Sequence, residues 1–207
     1  MYYKINNFKL SNRLEDQLQL FCLDWQALPI ATALGKKESF YNSYINNCML
    51  DTFKHYGLVL QKIGNIISSK LPEKLEWDIR DEIKQQYGEL LSNEVIIRLQ
   101  IVYGGEGIPI HIDRTRNSSI VYPISHAQAG STEFYEYNGP AIRGMISPQW
   151  CKLTQTVVID RIPVLLDTTS PHAIRYSKGT YTKKDPRISL SLKFEKLDFQ
   201  TVANLVK

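Results

Sequence analysis

The chain has 207 residues, 43% hydrophobic and 22% charged, enough to bury one sizeable core and most consistent with one domain. Its 25 Lys and Arg against 21 Asp and Glu leave a formal charge of +4 with no block of like charges, which is weak support for a polyanionic partner. No apolar run approaches the ~20 residues that span a bilayer, residues 1–17 lack the order of a secretory signal, and Cys22, Cys48 and Cys151 are odd in number and scattered, so we expect a cytoplasmic protein without disulfides, zinc knuckle or membrane contact.

Between residues 10 and 25, Leu14, Leu18, Phe21, Cys22 and Trp25 recur at helical spacing, and Asn12 with Glu15 three residues on forms a capping box. A second helix is expected over 44–71, carrying Met49, Phe53, Tyr56, Leu60, Ile63 and Ile67 on one face and closed by Pro72. Residues 74–92 are charged and poorly periodic, and read as mixed loop and short helix. From Glu94 the pattern changes to short runs of β-branched and aromatic residues that alternate with polar ones. Strands are expected at 95–103, 109–113, 119–124, 132–137, 156–159, 164–167, 172–176 and 187–194, enough for a two-sheet sandwich or barrel. The Asn117-Ser118-Ser119 glycosylation pattern reads as a polar turn or strand start. The chain is thus a single domain with a helical support region over 1–93, a strand-rich core over 94–195 and a C-terminal tail over 196–207. The fold class is mainly β with N-terminal helices (α+β).

Chemistry gathers in the strand-rich part. His111 and Asp113 stand at i and i+2, a spacing that points both side chains to one face of a strand. His172, just after the apolar run 164–167 and a short turn, is the best third ligand. Two imidazoles and one carboxylate leave adjacent positions open on a bound metal, the donor set of non-haem iron oxygenases. Along 187–194 alternation is strict: Arg187, Ser189, Ser191 and Lys193 share one face, and Ile188, Leu190, Leu192 and Phe194 the other. If helices cover the apolar face, Arg187 points inward, where a guanidinium can grip a carboxylate through two hydrogen bonds and Ser189 can add a third.

This ordered set resembles the HxD…H…RxS pattern of the Fe(II)/2-oxoglutarate-dependent dioxygenase superfamily, loosely of its prolyl-hydroxylase-like kind, over roughly residues 95–194. The resemblance implies a double-stranded β-helix (a jelly-roll, cupin-like barrel) with one Fe(II) at the barrel mouth. It further implies 2-oxoglutarate as co-substrate, decarboxylated to succinate, and O2 as oxidant. His111, Asp113 and His172 would be the catalytic metal ligands, and Arg187 with Ser189 the co-substrate anchor. Related halogenases carry a small residue at the position of Asp113, so hydroxylation is the expected outcome. The chain departs from the pattern in the long interval from His172 to Arg187. Its segment 177–186 reads as an extended hairpin loop, and Arg175, much nearer to His172, is the reserve anchor and a candidate substrate contact.

Other residues have less specific readings. The hydroxyls of Tyr103 and Tyr122 are candidates for the co-substrate carboxylate, with aromatic packing as the alternative. Arg116, with Arg114 beside it, is a candidate for a substrate carboxylate, as in some relatives. His126 lies in a Gly-bounded loop and reads as a surface or substrate-side histidine, and His55 as structural. The long stretch 138–153, with Arg143, Met145 and Trp150, is either a lid or a surface excursion. The expected reaction is hydroxylation of a C–H bond in a small molecule, amino acid or peptidyl side chain. The alternatives are an oxidative nucleic-acid demethylase, in which Lys193 adds a substrate contact, and a non-enzymatic cupin-like binding protein. Nucleic acid ranks lower because there is no basic block or base-stacking platform.

Overall fold

The computed structural model describes residues 1–23, 30–33, 65–104, 107–113, 115–125, 130–140, 144–159, 161–176 and 180–207. The expected helical residues 44–64 with His55, and also Trp25, Cys48, Arg114, His126 and Arg143, lie outside them. In chain order the elements are β1 (Tyr2–Lys4), α1 (Asn12–Leu23), β2 (Ile30–Ala33), β3 (Asn65–Ser69), α2 (Glu73–Tyr87), α3 (Glu89–Glu94), β4 (Val95–Tyr103), β5 (Gly107–Ile112), β6 (Ser118–Ser125), β7 (Gly130–Tyr137), β8 (Gly144–Met145), a 3-10 turn at Pro148–Trp150, β9 (Cys151–Val158), β10 (Val164–Asp167), β11 (His172–Tyr176), β12 (Arg187–Phe194) and α4 (Phe199–Leu205).

Strands alternate between two antiparallel sheets from β4 to β7 and again from β9 to β12, while β7, β8 and β9 all belong to the same sheet. The major sheet runs β1-β10-β6-β12-β4-β3-β2 and the minor sheet β8-β5-β11-β7-β9. This is the double-stranded β-helix, a jelly roll of two facing sheets; among the described residues it does not close into a barrel. The alternation along β12 has the expected consequence. Ile188, Leu190, Leu192 and Phe194 join Ile97, Leu99 and Ile101 of β4 in a core beneath Leu14 and Leu18 of α1 and Leu75, Ile79 and Ile83 of α2. The opposite face turns Arg187, Ser189 and Ser191, all buried, toward the minor sheet.

Four elements differ from the sequence reading. Residues 65–69 form a strand where a helix was expected, because β4 offers an unpaired edge that they fill in register from Asn65 opposite Tyr103 to Ser69 opposite Leu99; tertiary pairing outweighs local periodicity. The segment read as mixed loop and short helix holds the fifteen-residue helix α2. Leu75, Ile79 and Ile83 supply its buried stripe, and the charges that obscured it form exposed i,i+4 pairs such as Lys74–Asp78 at 2.9 Å. The tail contains α4, capped by the Asp198 carboxylate, which accepts from Thr201 N at 2.7 Å, with Val202, Ala203 and Val206 in the core. Lastly, the capping box at Asn12 does not form: Glu15 instead accepts a hydrogen bond from the Tyr122 hydroxyl, tying α1 to the major sheet.

A candidate metal centre between the sheets

His111 and His172 are directly opposed on the antiparallel strands β5 and β11. A bulge makes this possible. Ile174 pairs with Ile108, yet His172 pairs with His111, so β5 spends one more residue than β11 over this span. Pro109, which has no N–H to give a ladder, sits in the extra length. The bulge shifts parity, so that Ile108 and His111 both face the intersheet cavity while Ile110 packs outward with Ile146 and Ala173.

Asp113 follows the end of β5, and its segment is sewn to the turn that leads into β11. Asp113 N donates to Thr168 O at 3.1 Å, and the Thr168 hydroxyl donates to Arg116 O at 3.0 Å. The turn is itself shaped by Asp167, whose carboxylate accepts from Thr169 N at 3.0 Å and from the Ser170 hydroxyl at 2.5 Å.

These supports bring three ligand atoms together: one from each of His111, Asp113 and His172, all within 4.8 Å of one another. His111 Nε2 lies 3.9 Å and His172 Nε2 3.8 Å from the Asp113 carboxylate. Each Nδ1 meets a backbone carbonyl, Pro109 O at 2.8 Å and Ser170 O at 2.9 Å. A carbonyl only accepts, so both Nδ1 atoms carry the proton and both Nε2 lone pairs face the centre, as metal ligation requires. Burial lowers the pKa of both imidazoles, His172 to about 3, with His111 beside it adding to the effect. Both rings are therefore neutral at physiological pH. Burial alone would raise Asp113, but the Arg116 guanidinium, hydrogen-bonded to its Oδ2, outweighs this and holds the carboxyl below its usual range. Neutral nitrogens and an ionised carboxylate suit a divalent transition metal.

Arg187 enters the same cavity from β12. It is 5% exposed, and its Nε has no hydrogen-bond partner. Gln100, Ser119 and Thr132 line the same cavity as Arg187 and the two histidines, whose volume is about 40 Å³. Ser189 is buried on the same strand face, and Lys193, further along it, is lowered to about 8 by burial and the nearby Arg116.

Arg175 points the other way. On the outer face of the minor sheet its Nε donates to Glu133 at 3.0 Å and its guanidinium to Tyr135 at 3.4 Å, which removes it from the cavity as either anchor or substrate contact. Tyr103 and Tyr122 are corrected too: both lie on the helix-covered face of the major sheet, and the Tyr122 hydroxyl goes to Glu15. Arg116 remains at the site, with its Nε committed to Asp113. The phenols close enough to act on the Arg187 charge are Tyr176 and Tyr181. Tyr176 ends a strand that had been recognised, but nothing in the loop-like segment around Tyr181 marks it.

No protein-family model matches the sequence, and no curated protein matches it. Among solved structures, the chain is similar to the non-heme α-ketoglutarate-dependent epimerase SnoN of nogalamycin biosynthesis, with a TM-score of 0.52 and 9% identity over 94% of this chain and 76% of that one. This likeness spans nearly the whole chain and shows the shared fold. It is also similar to a Pseudomonas putida prolyl-4-hydroxylase, with a TM-score of 0.42 and 14% identity over 95% and 92% of the two chains. The Escherichia coli ribosomal oxygenase YcfD, solved with cobalt and 2-oxoglutarate, gives 0.39 and 10% over 70% of this chain, which spans 36% of YcfD.

Proposed function

We propose that this protein is an Fe(II)- and 2-oxoglutarate-dependent oxygenase that hydroxylates a C–H bond of a small molecule, amino acid or peptidyl side chain. The reading is carried by one observation: the two histidines of a His-Asp-His set and a buried guanidinium with no carboxylate partner among the described residues open onto one cavity of a double-stranded β-helix. His111, Asp113 and His172 would hold the metal, and Arg187, assisted by Ser189, the distal carboxylate of the keto acid. When bound, iron supplies the redox chemistry with O2 in which 2-oxoglutarate loses CO2, one oxygen atom enters succinate and the other the substrate C–H bond.

The protein's own groups account for the rest. The Pro109 and Ser170 carbonyls keep each Nε2 unprotonated. Arg116 leaves one carboxylate oxygen of Asp113 free for ligation. Val121, Ile159, Leu166 and Ile174 line the cavity with apolar surface, which limits water near the reacting bond. No helix among the described residues is long and apolar enough to cross a membrane, and the cytoplasm, a reducing compartment, suits Fe(II).

Anaerobic addition of Fe(II) and then 2-oxoglutarate should produce the weak visible charge-transfer band of a chelated keto acid, absent in His111→Ala. Succinate should then form on admission of O2 with a matching substrate. Wild-type protein that binds neither metal nor keto acid would sink the proposal.

A further inference from the structure

The inner face of the major sheet carries a second group of cations, at the opposite end of β12 from Arg187. Lys193 stands six residues further along the strand, ~20 Å of extended chain away, and is half-buried. On one flank it pairs with Ser119, which lines the cavity. On the other its diagonal neighbour is Arg98, opposite Ser191 on β4, at the ~7–8 Å spacing over which long side chains meet. Arg98 alternates with Ile97 and Leu99 of the helix-covered core, so it shares the inner face with Gln100 of the cavity wall. Arg116 closes the group from the loop after β5. Its neighbour Asn117 is fastened to the end of β12, by its N–H to Phe194 O at 2.9 Å and by its side-chain amide to Glu195 O at 2.7 Å.

Little in the fold balances these charges. The charged groups close enough to act on Lys193 are Arg116, Asp113, Arg98 and Glu195. Asp113 is committed to Arg116 and to the proposed metal, and Glu195 is exposed. Among the described residues Lys193 has no hydrogen-bond or ion-pair partner, and Arg98 donates only to Ile97 O, at 2.6 Å. Loading the centre does not change this. A divalent metal on Asp113 leaves one positive charge and a keto-acid dianion on Arg187 one negative, so the assembled site is neutral. The three cations beside it keep an excess that Glu195 only partly offsets. Like charges held together away from bulk water repel, and an oxyanion that accepts charge-assisted hydrogen bonds from them relieves the repulsion.

We infer that Lys193 and Arg98 form a subsite for an oxyanion of the primary substrate, a carboxylate or a phosphate, with Arg116 adding its charge from the metal side. Because the group lies on the inner face of the sheet, the substrate it fits is a small acid or phosphate ester. Arg187 is claimed by the distal carboxylate of the keto acid, and the length of β12 leaves Lys193 for a different anion. The inference rests on the function proposed above, of which it names the substrate class, and its test separates the two.

Protein saturated with Mn(II) and 2-oxoglutarate is titrated at neutral pH with acetate and with inorganic phosphate. NMR line broadening of the probe by Mn(II), which falls off steeply with distance, reports an anion held beside the centre. At least one of the two anions should broaden saturably, and neutral acetamide should not. Lys193→Met should weaken that binding on the order of tenfold, Lys193→Arg should restore it, and Arg98→Met should weaken it in the same direction. Mn(II) and 2-oxoglutarate affinities of Lys193→Met, measured by calorimetry, should stay within about twofold. Broadening that Lys193→Met leaves intact, as an anion on the metal itself would give, overturns the subsite. So does a loss of 2-oxoglutarate affinity in Lys193→Met, since the lysine would then serve the co-substrate. Wild-type protein that takes up neither Mn(II) nor 2-oxoglutarate defeats the proposed function, whereas protein that takes up both and holds neither anion defeats this inference alone.

Discussion

His111 and His172 face each other across one antiparallel pair, with ring centroids 4.3 Å apart and planes inclined at 49°. Both turn Nε2 toward Asp113. Two imidazoles this close cannot both take a second proton and become cations in a buried site, so the fold keeps them neutral, and that has a pH signature.

In an unfolded chain an imidazole titrates near ~6.5, whereas burial holds His172 at about 3. Between those values the unfolded state binds a proton that the folded state refuses, so acid favours unfolding. The stabilisation is complete above pH ~6.5 and is lost progressively toward pH ~3. At ~1.4 kcal/mol per pKa unit it amounts to a few kcal/mol, and His111, shifted in the same direction, adds to it. The melting temperature of metal-free protein should therefore hold from pH 7.5 to ~6.5 and fall steadily from there to pH 5, and His172→Gln should flatten the curve. A flat wild-type profile would show that the rings are not buried as neutral bases.

The sequence places the site more securely than its surroundings, for physical reasons. His111 and Asp113 stood out by their i, i+2 spacing, Arg187 by the alternation along β12, and His172 by its place after an apolar run and a turn; the structure brings His111, Asp113 and His172 together and sets Arg187 on the same cavity as the two histidines. The alternation rule, applied to β4, would have excluded Tyr103, which shares parity with Ile97, Leu99 and Ile101. Tyr122, likewise, shares parity with Ile120 rather than Ser119. The bulge at Pro109 was not legible, since two-residue parity assumes an unbroken ladder. Nor was Tyr181, held through its backbone carbonyl by Gly104 N at 2.7 Å rather than placed by any periodic pattern.

Tyr122→Phe tests the corrected assignment of that residue. Its hydroxyl links β6 to Glu15 of α1 on the helix-covered face, so the loss should be one of stability, about 1–3 kcal/mol with the Glu15 carboxylate left facing apolar surroundings. Affinity for 2-oxoglutarate should not change. Chemical denaturation and calorimetry on the same preparation separate the two effects, and weaker keto-acid binding without loss of stability would return Tyr122 to the site.

Gly107 tests the geometry that seats His111. It opens β5 at a φ of +136°, and an added Cβ would lie 2.0 Å from Ile174 O and 2.9 Å from its carbonyl carbon. Both are backbone atoms of a paired strand, so neither can move aside without breaking the β5/β11 ladder. Gly107→Ala should cost at least ~3 kcal/mol in urea unfolding or abolish soluble expression. A variant that melts within a few degrees of wild type would mean that β5 and β11 are not packed as described.

Arg187 offers the sharpest prediction because two observables move in opposite directions. A buried guanidinium with no carboxylate partner among the described residues costs the metal-free protein desolvation energy, which Tyr181 and Tyr176 only partly offset. Arg187→Met keeps the length of the side chain and removes the charge. The metal-free, ligand-free variant should therefore be as stable as wild type or more so, by up to about 1–4 kcal/mol. Wild-type protein should gain thermal stability from millimolar 2-oxoglutarate that grows with the logarithm of its concentration above Kd, and the variant should gain little. Both proteins are melted with and without the keto acid, at one pH and with the metal chelated. A destabilised variant that still responds to 2-oxoglutarate would mean that Arg187 is neutralised within the fold and that the carboxylate is bound elsewhere.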